Sequence, residues 1–208
     1  MFPPLPLGIP PLNPPFWPPF EPILVIMLEM VKVLESSNEE IELMSSIIND
    51  MLTLAKSENI NEVSKENINI SKLASKVCLQ FDTVAFEKNI KLSYEIEEEI
   101  YMFSNEKMMK QLFMILVDNA IKYEIENGEV SIKLKIVNNK IIFVVNNKNS
   151  EISEEDLPHI FDRFYKADKS RSSCGVGLAI AKNIVALHNG EIKAISNKDD
   201  GTIFRVIF

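Results

Sequence analysis

The sequence has 208 residues, of which 46% are hydrophobic, enough for one sizeable core and a small second element. Its 22 basic and 30 acidic residues give a net charge of -8, which argues against duplex nucleic acid as a partner. Cys78 and Cys174 have no neighbouring residues to complete a zinc site and suit a reducing compartment. The longest apolar run, 23–28, is far shorter than the roughly twenty residues of a membrane span, so we expect no membrane helix, no export signal and a cytoplasmic location.

Proline dominates residues 1–22, which hold ten of the eleven prolines of the chain. Proline removes backbone donors and favours extended conformations, so this stretch is predicted to be a disordered tail. The alternative is a ligand for a proline-recognising domain, although such ligands usually carry flanking basic residues that are missing here.

Apolar residues recur at three- and four-residue spacing through residues 23–57, which predicts two short helices. Ser37 and Glu40 fit a capping box at the start of the second helix. We expect an antiparallel helical hairpin that forms a homodimer as a four-helix bundle. The alternative is a hairpin packed on its own C-terminal domain, from which residues 58–65 separate it as a linker.

Strand and helix patterns alternate from residue 66 to residue 208. The fold class predicted is α+β, a two-layer α/β sandwich in which a mixed sheet is covered by helices on one face. Strands are expected at 66–70, 90–96, 130–137, 140–146, 191–196 and 202–208, and helices at 71–88, 105–123 and 177–187.

Three segments resemble the histidine-kinase members of the ATPase superfamily that also includes gyrase and the Hsp90 chaperones. EEDLPHIFDRFYKADKSRS, at 154–172, matches the family's F box and the basic start of its nucleotide lid. QLFMILVDNAIKY, at 111–123, matches the N box, and GVGLAIAKNIVALHNGEI, at 175–192, matches the last glycine box. The resemblance implies an ATP·Mg²⁺ site and a role in a two-component phosphorelay with a response regulator.

The matched positions imply roles for individual residues. Asn119 stands where the family ligates Mg²⁺, a role suited to a neutral oxygen donor beside charged phosphates. Lys122 is expected near the phosphates and Tyr123 near the base or ribose. Glycines allow phosphates to approach a helix N-terminus, where free amides favour anions. The remaining nucleotide-binding residues implied are Asn147, Ile152, Lys169, Gly175, Val176, Gly177 and Leu178.

Lys166 and Arg171 are the catalytic residues implied in the lid. Lys166 replaces the arginine that usually attends the γ-phosphate, which keeps the charge but loses the planar fork. The alternative is that these cations belong to a solvated surface loop.

The adenine-reading motif of the family, Asp-x-Gly-x-Gly, is replaced here by residues 147–151, NKNSE. Asn147 can still accept a hydrogen bond from the adenine amino group, but without the charge of a carboxylate. Asn149 is expected to tolerate a left-handed backbone, whereas Glu151 would tolerate it less readily and crowd the base.

The phosphoacceptor histidine of the family has no counterpart, because aligning its proline with Pro22 puts Trp17 at that position. The two histidines, His159 and His188, stand where the family carries structural ones. The first hypothesis is therefore a catalytic module that phosphorylates a histidine of a partner chain. The second is a degenerate pseudokinase that pairs with an intact histidine kinase. A gyrase-like ATPase is disfavoured, since Ile115 replaces its water-activating glutamate.

Overall fold

The computed structural model describes residues 64–166 and 175–208. The predicted tail at 1–22, the predicted hairpin at 23–57 and the first six residues of the linker lie outside the described residues. None of the helices in the described ranges is long and apolar enough to span a bilayer.

Seven strands and three helices make up the described part of the chain. The strands are Glu66–Asn69 (β1), Lys91–Ile96 (β2), Tyr101–Ser104 (β3), Glu129–Val137 (β4), Lys140–Asn147 (β5), Glu191–Asn197 (β6) and Gly201–Ile207 (β7). The helices are Ile70–Glu87 (α1), Glu106–Tyr123 (α2) and Gly177–Leu187 (α3).

A five-stranded mixed sheet, in the order β2-β4-β5-β7-β6, forms one layer of the sandwich. The β2 and β4 strands are parallel and the other neighbours antiparallel. Alternate residues of the central strands are buried against the helices, including Ile132, Phe143 and Phe204. The rings of Phe113 on α2 and Phe143 on β5 lie 4.4 Å apart and join the two layers. The predicted α+β sandwich is therefore confirmed.

Strand β3 is absent from the sequence prediction, which also placed all strands in one sheet. In the structure β3 pairs with β1 as a separate two-stranded antiparallel sheet. Ser71 fixes the turn leading into β3, because its hydroxyl donates to the carbonyl of Glu97 at 2.6 Å and accepts from the amide of Ile100 at 3.0 Å. Such long-range bonds have no local sequence signature.

The junction between β1 and α1 also differs from the prediction by one residue, since Ile70 begins the helix instead of ending the strand. Asn69 is the cap, and its side-chain oxygen accepts from the amide of Lys72 at 2.9 Å. The predicted turn between β4 and β5 is confirmed. Both Asn138 and Asn139 adopt positive φ, 51° and 60°, as a tight hairpin turn requires.

Candidate nucleotide site

Helix α2, which carries Asn119, packs against the core along one face. Asn105 caps α2 by accepting from the amide of Met108 at 3.0 Å, and Glu106 lies in its first turn. The buried residues of this face are Met109, Leu112, Phe113, Leu116, Val117, Ala120 and Ile121. Asn119 lies at the border of that face and is half-buried. The packing of α2 therefore sets the position of the Asn119 side chain at the edge of the core.

The start of α3 lies against the middle of α2. A Cβ atom added to Gly177 would lie 3.6 Å from Cγ2 of Ile115, which is one helical turn before Asn119. No side chain caps α3, because its N-cap residue is Val176. Among the residues that the structure describes, no side chain accepts from the first amides of α3, as at helix ends that bind anions. The uncapped end of α3 and the Asn119 face of α2 lie close together.

Phe164 and Gly175 form a backbone contact at the two ends of the stretch that the structure leaves undescribed. The amide of Phe164 donates to the carbonyl of Gly175 at 2.9 Å. Gly175 has a φ of +68°, and a Cβ there would lie 2.5 Å from the carbonyl oxygen of Tyr165. Lys166 is two residues from this contact and Gly177 is two residues from its other side. The contact therefore keeps Lys166 close to the start of α3.

The F-box segment before Lys166 consists of short turns anchored by both apolar and polar contacts. Ile160 is buried, and the Phe161 ring meets Phe204 of β7 edge-on at 6.4 Å. The Tyr165 hydroxyl donates to Oδ1 of Asp156, and this hydrogen bond raises the pKa of Tyr165. Phe161 and Tyr165 therefore hold the segment in place through these contacts.

Asn147, which the resemblance places at the family's adenine-reading aspartate, ends β5 in a buried position and is 1% exposed. Its side-chain oxygen is buried and has no hydrogen-bond partner. A buried acceptor without a partner is costly, so a ligand that donates to it would remove that cost. The residue thus fits an adenine amino group.

The loop after Asn147 is tied to three neighbouring elements. Lys148 donates its amide to the carbonyl of Glu129 at 3.1 Å. Asn149 donates its amide to Oε2 of Glu124 at 3.2 Å. The hydroxyl of Thr202 donates to the carbonyl of Ser150 at 2.8 Å. The loop is therefore held without either glycine of the family motif.

The loop after Asn147 contains no residue with a left-handed backbone. Among the described non-glycine residues with positive φ, neither Asn149 nor Glu151 occurs. Glu151 is exposed, and the next residue, Ile152, donates its amide to the hydroxyl of Ser196 at 2.8 Å. The tolerance of Asn149 for a left-handed conformation is therefore not used, because the loop follows a path that needs none.

The other residues predicted for the site have different placements. Lys122 is exposed, with its ammonium 3.9 Å from Oδ2 of Asp118 one turn earlier, and Tyr123 is half-buried. The side chain of Val176 is fully buried, so only its main chain can contact a ligand. Leu178 is half-buried and packs against the core. Lys169 and Arg171 lie outside the described residues.

The sequence prediction missed Thr202 and Glu124, although both hold the loop after Asn147. Thr202 is opposite Asn147 in the register of β5 and β7, is 1% exposed, and also bonds the hydroxyl of Ser196 at 2.9 Å. The position of Thr202 next to Gly201, at the start of the last strand, indicates this role only weakly. Glu124 follows the end of α2, and nothing in the neighbouring sequence indicates that it contacts this loop.

No group of three histidine, cysteine or carboxylate side chains that could hold a metal ion occurs among residues 64–166 and 175–208. A magnesium ion carried by a nucleotide needs fewer protein ligands, since phosphate oxygens supply several. The half-buried amide of Asn119 is an oxygen donor of the type Mg²⁺ prefers. The described residues therefore fit a metal that arrives with phosphates, with Asn119 as its protein ligand.

The fold and the site define an ATPase domain built on a helix-covered mixed sheet. Residues 104–208 match the family described as histidine kinase-, DNA gyrase B-, and HSP90-like ATPase, and the chain belongs to that family. Among its relatives, the signal transduction histidine-protein kinase ArlS of Staphylococcus aureus strain USA300 is 35% identical over 192 residues. That match covers 90% of this chain and 40% of ArlS, so the chain spans well under half of that relative.

Solved histidine kinases share the fold. The catalytic domain of histidine kinase ThkA, in a nucleotide-free form, matches with a TM-score of 0.64 at 26% identity, over 70% of this chain and 95% of that domain. Full-length ShkA in complex with AMPPNP matches with a TM-score of 0.71 at 22% identity, over 86% of this chain and 38% of ShkA. The domain is therefore an ATPase domain of the histidine-kinase type.

Proposed function

We propose that this chain is the ATP-binding catalytic module of a sensor histidine kinase in a two-component phosphorelay. It transfers the γ-phosphoryl group of ATP to a histidine supplied from outside these 208 residues. The observation that carries the proposal is the approach of α3 to α2, with Gly177 packed on Ile115 one turn from Asn119. This arrangement supports phosphate binding at the α3 end and Mg²⁺ binding at Asn119.

Each end of the nucleotide has its own group of residues. The buried acceptor of Asn147 receives the adenine amino group, and Ile152 supplies an apolar contact beside it. The amides that begin α3 hold the phosphates, with Lys122 and Lys166 as nearby cations. Magnesium neutralises phosphate charge in such sites and thereby assists phosphoryl transfer. Lys169 and Arg171 are proposed to extend the cationic side of the site.

We assign the phosphoryl acceptor to neither of the two histidines of the chain. Both ring nitrogens of His188 are occupied, with Nδ1 donating to the carbonyl of Ile184 at 2.8 Å and Nε2 accepting from the amide of Asn105 at 3.5 Å. The Nδ1 atom of His159 pairs with Oδ2 of Asp162 at 2.9 Å, and we set this histidine aside because it stands within the F box, where the resemblance implies a structural histidine. We therefore assign the acceptor to a partner, either an intact histidine kinase or a second hairpin-bearing chain. The expected setting is cytoplasmic, with a response regulator as the final recipient and the 23–57 hairpin as the dimer contact.

A degenerate pseudokinase is the second candidate. The neutral Asn147 and the loss of both glycines after it favour weak nucleotide binding without transfer. In that case the chain would modulate intact kinases through its hairpin.

Labelled ATP with Mg²⁺ separates the two candidates. The full chain is incubated alone and with a partner that carries an intact histidine hairpin, and the Asn119→Ala variant is the control. Label on the partner, lost with Asn119→Ala, is the expected result. Calorimetry that detects no ATP binding would leave only the pseudokinase, and label unaffected by Asn119→Ala would contradict the role of Asn119.

A further inference from the structure

We propose that Glu124 is a positioning residue for nucleotide binding, because its buried carboxylate holds the loop after Asn147 in place of the lost glycine turn. Glu124 is 7% exposed and is the C-cap residue that follows Tyr123 at the end of α2. This inference rests on the proposed function, since the loop concerned is the one expected to contact adenine.

The carboxylate of Glu124 joins the end of α2 to that loop. Oε1 accepts from the amide of Ile125 at 3.1 Å, and Oε2 accepts from the amide of Asn149 at 3.2 Å. Hydrogen bonds to a charged acceptor are stronger than neutral ones, and a buried one is not screened by water. Asn149 is two residues after Asn147, so this bond fixes the path of the chain as it leaves the buried acceptor.

Gly128 provides the space that Glu124 occupies. A Cβ atom on Gly128 would lie 2.7 Å from both Cδ and Cγ of Glu124 and would overlap Oε1 as well. Real Cβ atoms do not approach other atoms so closely, so an alanine at 128 must displace the carboxylate. The Glu124 carboxylate can therefore occupy its position only because residue 128 has no side chain.

Glu126 gives a matched comparison. It is a glutamate two residues further on, exposed, and its Oε1 accepts from Nδ2 of Asn89 at 3.2 Å. Within the described residues it has no hydrogen bond to the loop after Asn147, and it lies outside the proposed nucleotide-binding groups. Its removal tests whether any carboxylate in this stretch affects the site.

The test measures ATP binding by calorimetry in the presence of Mg²⁺ on the full chain and on variants at these positions. Loss of a hydrogen bond to a charged group predicts that Glu124→Ala binds about tenfold more weakly. Glu124→Gln retains an acceptor and should stay within about threefold, while Glu126→Ala should match the wild type. Gly128→Ala should weaken binding as much as Glu124→Ala, and the double variant should be no weaker than Glu124→Ala alone.

Hydrogen exchange at the amide of Asn149, measured without nucleotide, distinguishes loss of this one bond from a general loss of packing. Exchange should rise in Glu124→Ala and Gly128→Ala, stay low in Glu126→Ala, and leave the amides of β4 unchanged. Equal ATP affinity of the wild type and Glu124→Ala, or additive losses in the double variant, would overturn the inference alone. A wild type that binds no ATP would overturn the proposed function and this role together.

Discussion

The backbone amide of Phe164 donates to the carbonyl of Gly175 at 2.9 Å, and both residues have positive φ, 64° and 68°. This bond joins two left-handed residues of the described ranges 64–166 and 175–208. Lys166 is thereby kept close to the start of α3 at Gly177. A side chain at position 175 conflicts with this arrangement in both conformation and space.

Gly175→Ala is expected to lower the free energy of unfolding by about 1–2 kcal/mol, because a non-glycine residue in the left-handed region carries that cost. The new Cβ would also lie 2.5 Å from the carbonyl oxygen of Tyr165. Urea unfolding measures the stability, and calorimetry with ATP·Mg²⁺ should detect weaker binding. Stability equal to that of the wild type would show that the backbone at 175 does not need glycine.

Gly177→Ala serves as the matched change and should have the opposite effect on stability. The added Cβ makes an ordinary contact of 3.6 Å with Ile115, and alanine in a helix gains up to about 1 kcal/mol over glycine. A bare backbone is what phosphates would approach here, so ATP affinity should fall about tenfold while the unfolding midpoint in urea rises. A variant that binds ATP as well as the wild type would exclude close phosphate contact at 177.

The helices and most strands follow from the periodicity of the sequence, whereas the contacts that shape the site do not. The apolar stripe on α2 and the Asn138–Asn139 turn are local patterns and were predicted. Strand β3 depends on its pairing with β1, and the burial of Glu124 depends on the loop after Asn147 and on the space at Gly128. The pairing with β1 and the contact with the loop at Asn149 join residues at least 25 positions apart, so no short window of the sequence contains them.

Asn147→Asp should lower the stability of the free protein and raise its affinity for the nucleotide. The position is 1% exposed and its side-chain oxygen has no partner, so a carboxylate there should lower the stability of the free protein by about 1–3 kcal/mol. Bound adenine would donate to that carboxylate in a charge-assisted bond, about twice as strong as a neutral one. ATP should therefore raise the melting temperature of the variant more than that of the wild type. A smaller shift in the variant would argue against adenine at this position.

Because the imidazole of His188 is buried, we expect the folded protein to lose stability in acid. Its side chain is buried at the end of α3, with Nδ1 donating to Ile184 and Nε2 accepting from Asn105. Burial lowers the pKa of His188 below its usual 6.5 in the folded protein, and Lys65 nearby acts in the same direction. The unfolded chain therefore binds a proton at higher pH than the folded one does.

The sign follows from that difference. Above pH 6.5 the ring is neutral in both states, so the free energy of unfolding does not depend on its titration. As the pH falls below 6.5, the unfolded state binds a proton before the folded state does. The free energy of unfolding therefore decreases until the pH reaches the lower pKa of the folded protein. Urea unfolding at pH 7.5 and pH 5 should show a larger drop for the wild type than for His188→Gln, whose amide does not titrate. His159, the other histidine, lies at the surface beside Asp162, and His159→Gln is the matched control. If His188→Gln kept the full acid loss of the wild type, carboxylates elsewhere would be its source and the buried imidazole would have no part in it.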